Sequence, residues 1–265
     1  MNQSQSGHSR LSNFDASQFD YRQPWTVAGS GRAEVDYGTP DSHCWQISSV
    51  ASGIVPANYE PRYAYPLVIW LSGHDCDVPQ SLAHIAGMSP QNYVGISIKG
   101  CSSTFPDVSD RTEQSGLDVA VDTLQWLVDI ENRIVAAVKE FRRTVNVHMD
   151  RFLLAGAGDS ASTALLVAIH QTDWFNGCLS FGGAFPAASR LLARHSDLTG
   201  RRFWLSTPGE RSGWTRTEQT RHAARQLIAS GANVTTQIDN STQLVSPSML
   251  KAVDQWVIKG ILTEA

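Results

Sequence analysis

Arg151-Phe152-Leu153-Leu154-Ala155-Gly156-Ala157-Gly158-Asp159-Ser160 is the stretch on which the fold turns. Its first half, Arg151–Ala155, is a short apolar run that suits a strand covered on both faces. Gly156 to Ser160 then supplies a turn, and Thr163 to His170 reads as a helix. A buried strand followed at once by a helix is the repeating unit of a parallel sheet.

The same alternation continues in both directions. Upstream, Tyr65–Leu71 is a continuous apolar run closed by Ser72-Gly73, and Tyr93–Ile98 is a second, closed by Gly100. A long helix follows, in which Ala120, Leu124, Leu127, Ile130, Ile134, Val138 and Phe141 recur every three or four residues. That spacing lays one apolar stripe along it. Downstream, strands are expected at Gly177–Phe181, Arg202–Ser206 and Val234–Ile238. An amphipathic helix is expected over Thr220–Ile228, with Gly231 as its stop. Ser246-Pro247 reads as an N-cap with proline at the first helical position of a last helix, which buries Leu250, Val253, Val257 and Ile261. The expected fold class is therefore α/β: a doubly wound, mostly parallel sheet with helices on both faces. In such sheets ligands bind beyond the carboxyl ends of the strands. The turns to inspect are 72–77, 100–106, 156–161, 182–186, 207–214 and 239–245.

The whole chain is consistent with this. It has 265 residues, 42% hydrophobic and 17% charged, enough apolar material for a sizeable core. Residues 1–40 are rich in Ser, Gln, Asn, Asp and Gly without apolar period, and are expected to be a loosely attached tail before a single domain over 41–265. The formal net charge of −4 attracts no polyanion, so nucleic acid is not an expected partner. No apolar run approaches the length of a membrane span, and Met1 to Phe14 lacks the apolar core of a signal peptide. Cys44, Cys76, Cys101 and Cys178 are too widely spaced for a zinc site or a disulfide framework. Reduced thiols and a cytoplasmic location are expected. Neither a metal nor a nucleotide cofactor is implied, because no His/Cys cluster has ligand spacing and Gly156-Ala157-Gly158 lacks the rest of a phosphate loop.

Several of the turns resemble those of one family. Pro66-Leu67-Val68-Ile69-Trp70-Leu71-Ser72-Gly73 resembles the strand and His-Gly turn of α/β-hydrolases. Arg151 to Gly156 resembles the strand that feeds a nucleophile elbow. Phe175-Asn176-Gly177 and Phe181-Gly182-Gly183-Ala184-Phe185-Pro186 resemble the next strand and its exit. Together, over about residues 45–262, they resemble the phospholipase/carboxylesterase branch of serine esterases and thioesterases. The resemblance implies a serine on a G-x-S-x-G elbow, a histidine base, an acid that orients it, and an oxyanion hole of backbone N–H groups.

At the nucleophile and base positions this chain departs from the pattern. Arg151 lies seven residues before Gly158 and Phe175 seventeen after, spacings that match the family and put Gly158 at the nucleophile position. Glycine has no side chain to attack with. A shifted register, Gly158-Asp159-Ser160-Ala161-Ser162, would bring in Ser160, but needs an insertion before the turn and a deletion after it. The string Gly158-Asp159-Ser160 also resembles the Gly-Asp-Ser block of another lipase class, which lies near the N-terminus of its fold and is paired with a late D-x-x-H; neither holds here. The histidine that precedes the last helix is replaced by Gln243, in Thr242-Gln243-Leu244-Val245-Ser246. An amide does not titrate near neutrality and is no general base. The acid position falls near Glu210. Ser72-Gly73 replaces His-Gly at the oxyanion turn, followed by His74, the one histidine expected near the site. Trp214, after Glu210, is a candidate pocket wall.

Losing either nucleophile or base typically costs on the order of 10⁴–10⁶ in rate. The expectation is a degenerate hydrolase that binds a small molecule or a protein partner, with Gly73, His74, Asp159 and Trp214 as candidate contacts. The alternative is an active ester hydrolase with relocated chemistry, Ser160 or Asp159 as nucleophile and His74 as base.

Overall fold

The computed structural model describes residues 42–101, 116–183, 197–208, 214–239 and 241–263. The expected tail, 1–40, lies outside them. Eight strands form one sheet: β1 (Ser42–Ser48), β2 (Ala51–Pro56), β3 (Tyr65–Leu71), β4 (Val94–Ile98), β5 (Val147–Ala157), β6 (Gly177–Phe181), β7 (Arg202–Pro208) and β8 (Asn233–Asp239). Their order is β1-β2-β4-β3-β5-β6-β7-β8. From β4 to β8 every pairing is parallel, while β1–β2 and β2–β4 are antiparallel. The sheet is therefore mostly parallel, as read from the sequence. The five described helices are α1 (Val78–Met88), α2 (Gly116–Phe141), α3 (Asp159–His170), α4 (Trp214–Ala229) and α5 (Pro247–Thr263).

Helices cover both faces, which is why β3 is apolar throughout, β4 is apolar but for Ser97, and both are buried along their whole length. On one face Leu127, Ile130, Ile134, Val138 and Phe141 of α2 pack with Leu165 and Ile169 of α3 and Leu227 of α4. These are the described members of the expected stripe on α2. On the other face Leu82 and Ile85 of α1 pack with Met249, Leu250, Val253 and Val257 of α5. Ser246 accepts the Met249 N–H at 3.2 Å and so caps α5, as its place before Pro247 suggested.

Several features depart from the expectation, among them α4, which begins at Trp214 rather than Thr220, and β5, which begins at Val147 rather than Arg151. The β1–β2 hairpin and α1 were not foreseen. β1 mixes polar and apolar residues without strict alternation, and α1 carries Pro79 and Gly87, so neither has a clean period. In α1 the start is made by Asp77, whose carboxylate accepts the Gln80 N–H at 2.9 Å while Gln80 returns a bond to Asp77 N–H at 3.3 Å. Similarly, α3 begins at Asp159 rather than Thr163. Gly158 makes the whole strand-to-helix turn by itself, at φ 60° and ψ −125°, so Asp159 and Ser160 already lie in the helix.

One partly buried titratable group beside the core gives the fold a pH dependence. The His84 ring on α1 lies 5.3 Å from that of Trp70. Burial lowers its pKa from 6.5 to about 4, so the folded form keeps it neutral. The unfolded chain takes up the proton near 6.5. The resulting stabilisation is complete above that pH and is lost as the pH falls through 6.5 towards 4, by up to about 3 kcal/mol. His84→Phe, which keeps a ring on Trp70, is expected to flatten the fall in urea-unfolding stability across this window. An unchanged slope in the variant would refute the assignment to His84.

Candidate functional site

The crest of the sheet is built from two turns that meet. The first leaves β3. Leu71 ends the strand, Ser72 N–H donates to Ile98 O at 2.8 Å, and Gly73 N–H closes a tight loop on Cys76 O at 2.9 Å before α1 begins. Ser72 occupies the position where the resemblance implies histidine. Its hydroxyl lies 2.9 Å from Ser81 Oγ and 2.6 Å from Ser97 Oγ, and the latter two are 2.6 Å apart. This fully buried triangle of hydroxyls, one from each of β3's exit, α1 and β4, fixes where the turn leaves the sheet.

The second turn is the elbow between β5 and α3. Gly158 N–H donates to Phe181 O at 2.8 Å, and Gly158 O accepts from Ala161 N–H at 3.1 Å. Its φ lies in the region that favours glycine. Ser160 is fully buried: its hydroxyl donates to Ala157 O at 2.9 Å and lies 3.2 Å from Ala157 N–H. Both bonds close the elbow on itself and commit the hydroxyl to the backbone.

The two turns are joined by Asp75. Its Oδ2 accepts the Asp159 N–H at 3.1 Å. The same oxygen lies 1.9 Å from the point where a Cβ on Gly158 would stand. In the family that the sequence resembles, that is the neighbourhood of the attacking hydroxyl, and the N–H of the residue after it is an oxyanion donor. A carboxylate from the β3 exit therefore fills the space that a side chain on residue 158 would take, and accepts the N–H of the residue after it. Asp75 was in view in the sequence, as the residue after His74, but was not singled out. Nothing along the chain relates it to a glycine 83 positions away.

The remaining candidates are placed as follows. His74 and Asp159 are exposed, His74 on the β3 turn and Asp159 at the first position of α3. Gln243 is exposed in the connection between β8 and α5, its N–H donating to Ser241 Oγ at 3.0 Å. That connection is held at its ends by Asp239, whose carboxylate accepts the Ser246 hydroxyl. Glu210 lies outside the described residues, and so does the side chain of Trp214. Cys76 is the nearest thiol to the turn. Burial pushes it up to about 12, which keeps it protonated and unreactive. Among the described residues no group of His, Cys, Asp and Glu is placed to hold a metal ion, and no helix is long and apolar enough to cross a membrane.

A cleft of about 650 Å³ opens beside the first turn. Its walls include Gln46 and Val50 of the β1–β2 hairpin, Gly73 and His74 of the β3 turn, Pro79 of α1 and Lys99 after β4. A cavity of this size suits a small organic molecule. Gly73 and His74, chosen from the sequence as candidate contacts, both line it.

No protein-family model matches the chain, and no curated protein matches it by sequence. Solved structures do match in shape. The carboxylesterase of Bacillus cereus aligns at a TM-score of 0.53 and 14% identity, over 74% of this chain and 89% of that one. SOBER1 of Arabidopsis thaliana aligns at 0.56 and 12%, over 75% and 100%. The dienelactone hydrolase of Anabaena variabilis aligns at 0.51 and 14%, over 88% and 97%. At these identities the likeness is one of fold, and the fold is that of the α/β-hydrolases.

Proposed function

We propose that this chain, an α/β-hydrolase by fold, is a degenerate relative of the carboxylesterases that binds a small molecule or a protein partner and does not hydrolyse esters by the serine mechanism. One observation carries the proposal. At the elbow the residue is Gly158, and the space above it is filled by the Asp75 carboxylate. A negative charge there opposes the oxyanion that acyl transfer must build, so the altered site lacks a nucleophile and disfavours the transition state as well. The replacement of the family histidine by Gln243 removes the base that would activate either serine or water. The cleft beside Gly73 and His74 supports retention of a binding role. Cysteines that are buried and form no disulfide fit a reducing, cytoplasmic setting.

Relocated chemistry through Ser160 and His74 is the weaker alternative, because the Ser160 hydroxyl is buried and spent on the Ala157 backbone. The test is activity-based labelling. Folded protein treated with a fluorophosphonate and with p-nitrophenyl acetate is expected to take no label and to give no turnover above buffer. A label on Ser160, or turnover abolished by Ser160→Ala, would overturn the proposal.

A further inference from the structure

The sheet ends in two edges of different character. At one edge β1 carries an irregularity between Gln46 and Ser48, a feature that discourages further pairing. At the other, all seven residues of β8 pair with β7 without a register shift, and no described strand covers the outer side. Half of the β8 backbone N–H and C=O groups therefore point outward. The strand reads Asn-Val-Thr-Thr-Gln-Ile-Asp, rich in β-branched residues and without the lysine or proline that guards such edges. Apolar side chains are exposed on the three elements that meet there. Ile228 of α4, Ile238 of β8 and Ile258 of α5 are 56%, 50% and 39% exposed, three of the six large apolar side chains exposed among the described residues. α4 packs on β7 and β8, and α5 reaches β8 through Trp256, whose Nε1–H donates to Thr235 Oγ1 at 3.1 Å.

We propose that β8 is a self-pairing edge: two copies of the chain join their β8 strands antiparallel, about a two-fold axis through Thr236, into one continuous sheet. The order of residues in the strand selects a second copy as the occupant. Directly opposed residues share a face, so the axis passes through a residue, and only an axis at Thr236 pairs the whole strand. That axis sets Val234 against Ile238 of the second copy, Thr235 against Gln237, Asn233 against Asp239, and Thr236 against itself. Asp239, the one charge in the strand, thus faces an amide and stands about 20 Å from its own copy. Val234 and Ile238 are in register with Phe203 and Thr207 of β7, on the face that α4 covers. The axis is perpendicular to the sheet and keeps its faces, so α4 meets its own copy across the junction. α4 ends at Ala229, beside the start of β8, which brings Ile228 towards Ile238 of the second copy. The helices supply the apolar area that a strand edge alone lacks.

The experiment is sedimentation equilibrium of the full chain at about 100 μM, above the micromolar range of weak interfaces of standard size. The expected mass is twice the chain's 29.0 kDa. Thr236→Lys sets two ammonium groups against each other at the axis and is expected to weaken the dimer about a hundredfold or more. Thr236 is exposed, so the fold is expected to survive the change. Should that variant fail to fold, Ile238→Lys is read in the same way. Oxidation with copper phenanthroline reads the register. Thr236→Cys is expected to give a disulfide-linked dimer, since opposed Cα atoms lie about 4.5–5.5 Å apart. Asn233→Cys, about 20 Å from its copy, is expected to give none. A mass of 29.0 kDa for the unaltered chain would overturn the proposal and leave β8 to an extended segment of another protein. A dimer unaffected by the lysine, or one linked through Asn233→Cys and not through Thr236→Cys, would overturn it by placing the interface elsewhere. None of these readings depends on ester turnover or ligand binding, so failure here and failure of the proposed function are distinguishable.

Discussion

Placing a serine at the elbow, Gly158→Ser, is expected to destabilise the protein by about 4 kcal/mol and to confer no esterase activity. Two effects add. At φ 60° and ψ −125° a side chain carries backbone strain of roughly 1–3 kcal/mol, which glycine avoids. The new Cβ would also stand 1.9 Å from Asp75 Oδ2 and 2.5 Å from its Cγ, so the carboxylate must leave and the Asp159 N–H loses its partner. Displacing packed atoms of this kind costs roughly 1–3 kcal/mol more. The overlap makes the two positions interdependent. Asp75→Gly removes the obstacle, so Gly158→Ser should cost less in that background, with a coupling of about 1–2 kcal/mol in a double-mutant cycle by urea unfolding. Strict additivity would mean that Asp75 does not occupy the elbow. Under the proposed function, the double variant should also show no ester turnover, because Gln243 at the position proposed for the base cannot take the serine's proton.

Gly156→Ala is expected to be almost as damaging, at about 3 kcal/mol, for a different reason. No unusual backbone angle is involved. A Cβ at this position would meet Ser160 O at 2.5 Å, Ser160 C at 2.7 Å and Ala161 N at 2.8 Å. All three are main-chain atoms of the first turn of α3, and that helix is buried from Ser160 to Ile169. It has no free direction in which to retreat. The substitution should therefore push α3 off β5, lower the urea midpoint, and break the Ser160–Ala157 contacts that close the elbow. Gly200→Ala is a useful contrast. Unlike Gly156 it has positive φ, but nothing lies within 4 Å of its would-be Cβ, so it should show the backbone cost alone. Equal losses at the two sites would refute the close-packing explanation.

The parallel half of the fold could be read from residue pattern because its strands are buried on both faces. Runs such as Leu67–Leu71 and Phe152–Ala155 are apolar without interruption, and the turns between them carry glycine. The antiparallel edge could not be read this way. Ser42–Ser48 is a half-covered strand of mixed composition, whose pairing depends on its bulged register with β2. The start of α3 was misplaced because a glycine-rich string looks like a longer turn than the single residue the elbow needs.

By itself the amino-acid order determined that this chain builds a wound α/β sheet, and that position 158 carries no group able to attack. Both follow from local chemistry: apolar runs bury, and glycine has no side chain. Tertiary structure alone decided what stands in the vacant place. Asp75 and Asp159 are far apart along the chain, and only the parallel pairing of β3 with β5 brings the turns that follow them to the same end of the sheet. A hydrogen bond between them has no periodicity to announce it, since it depends on the stacking of strands and not on the spacing of residues.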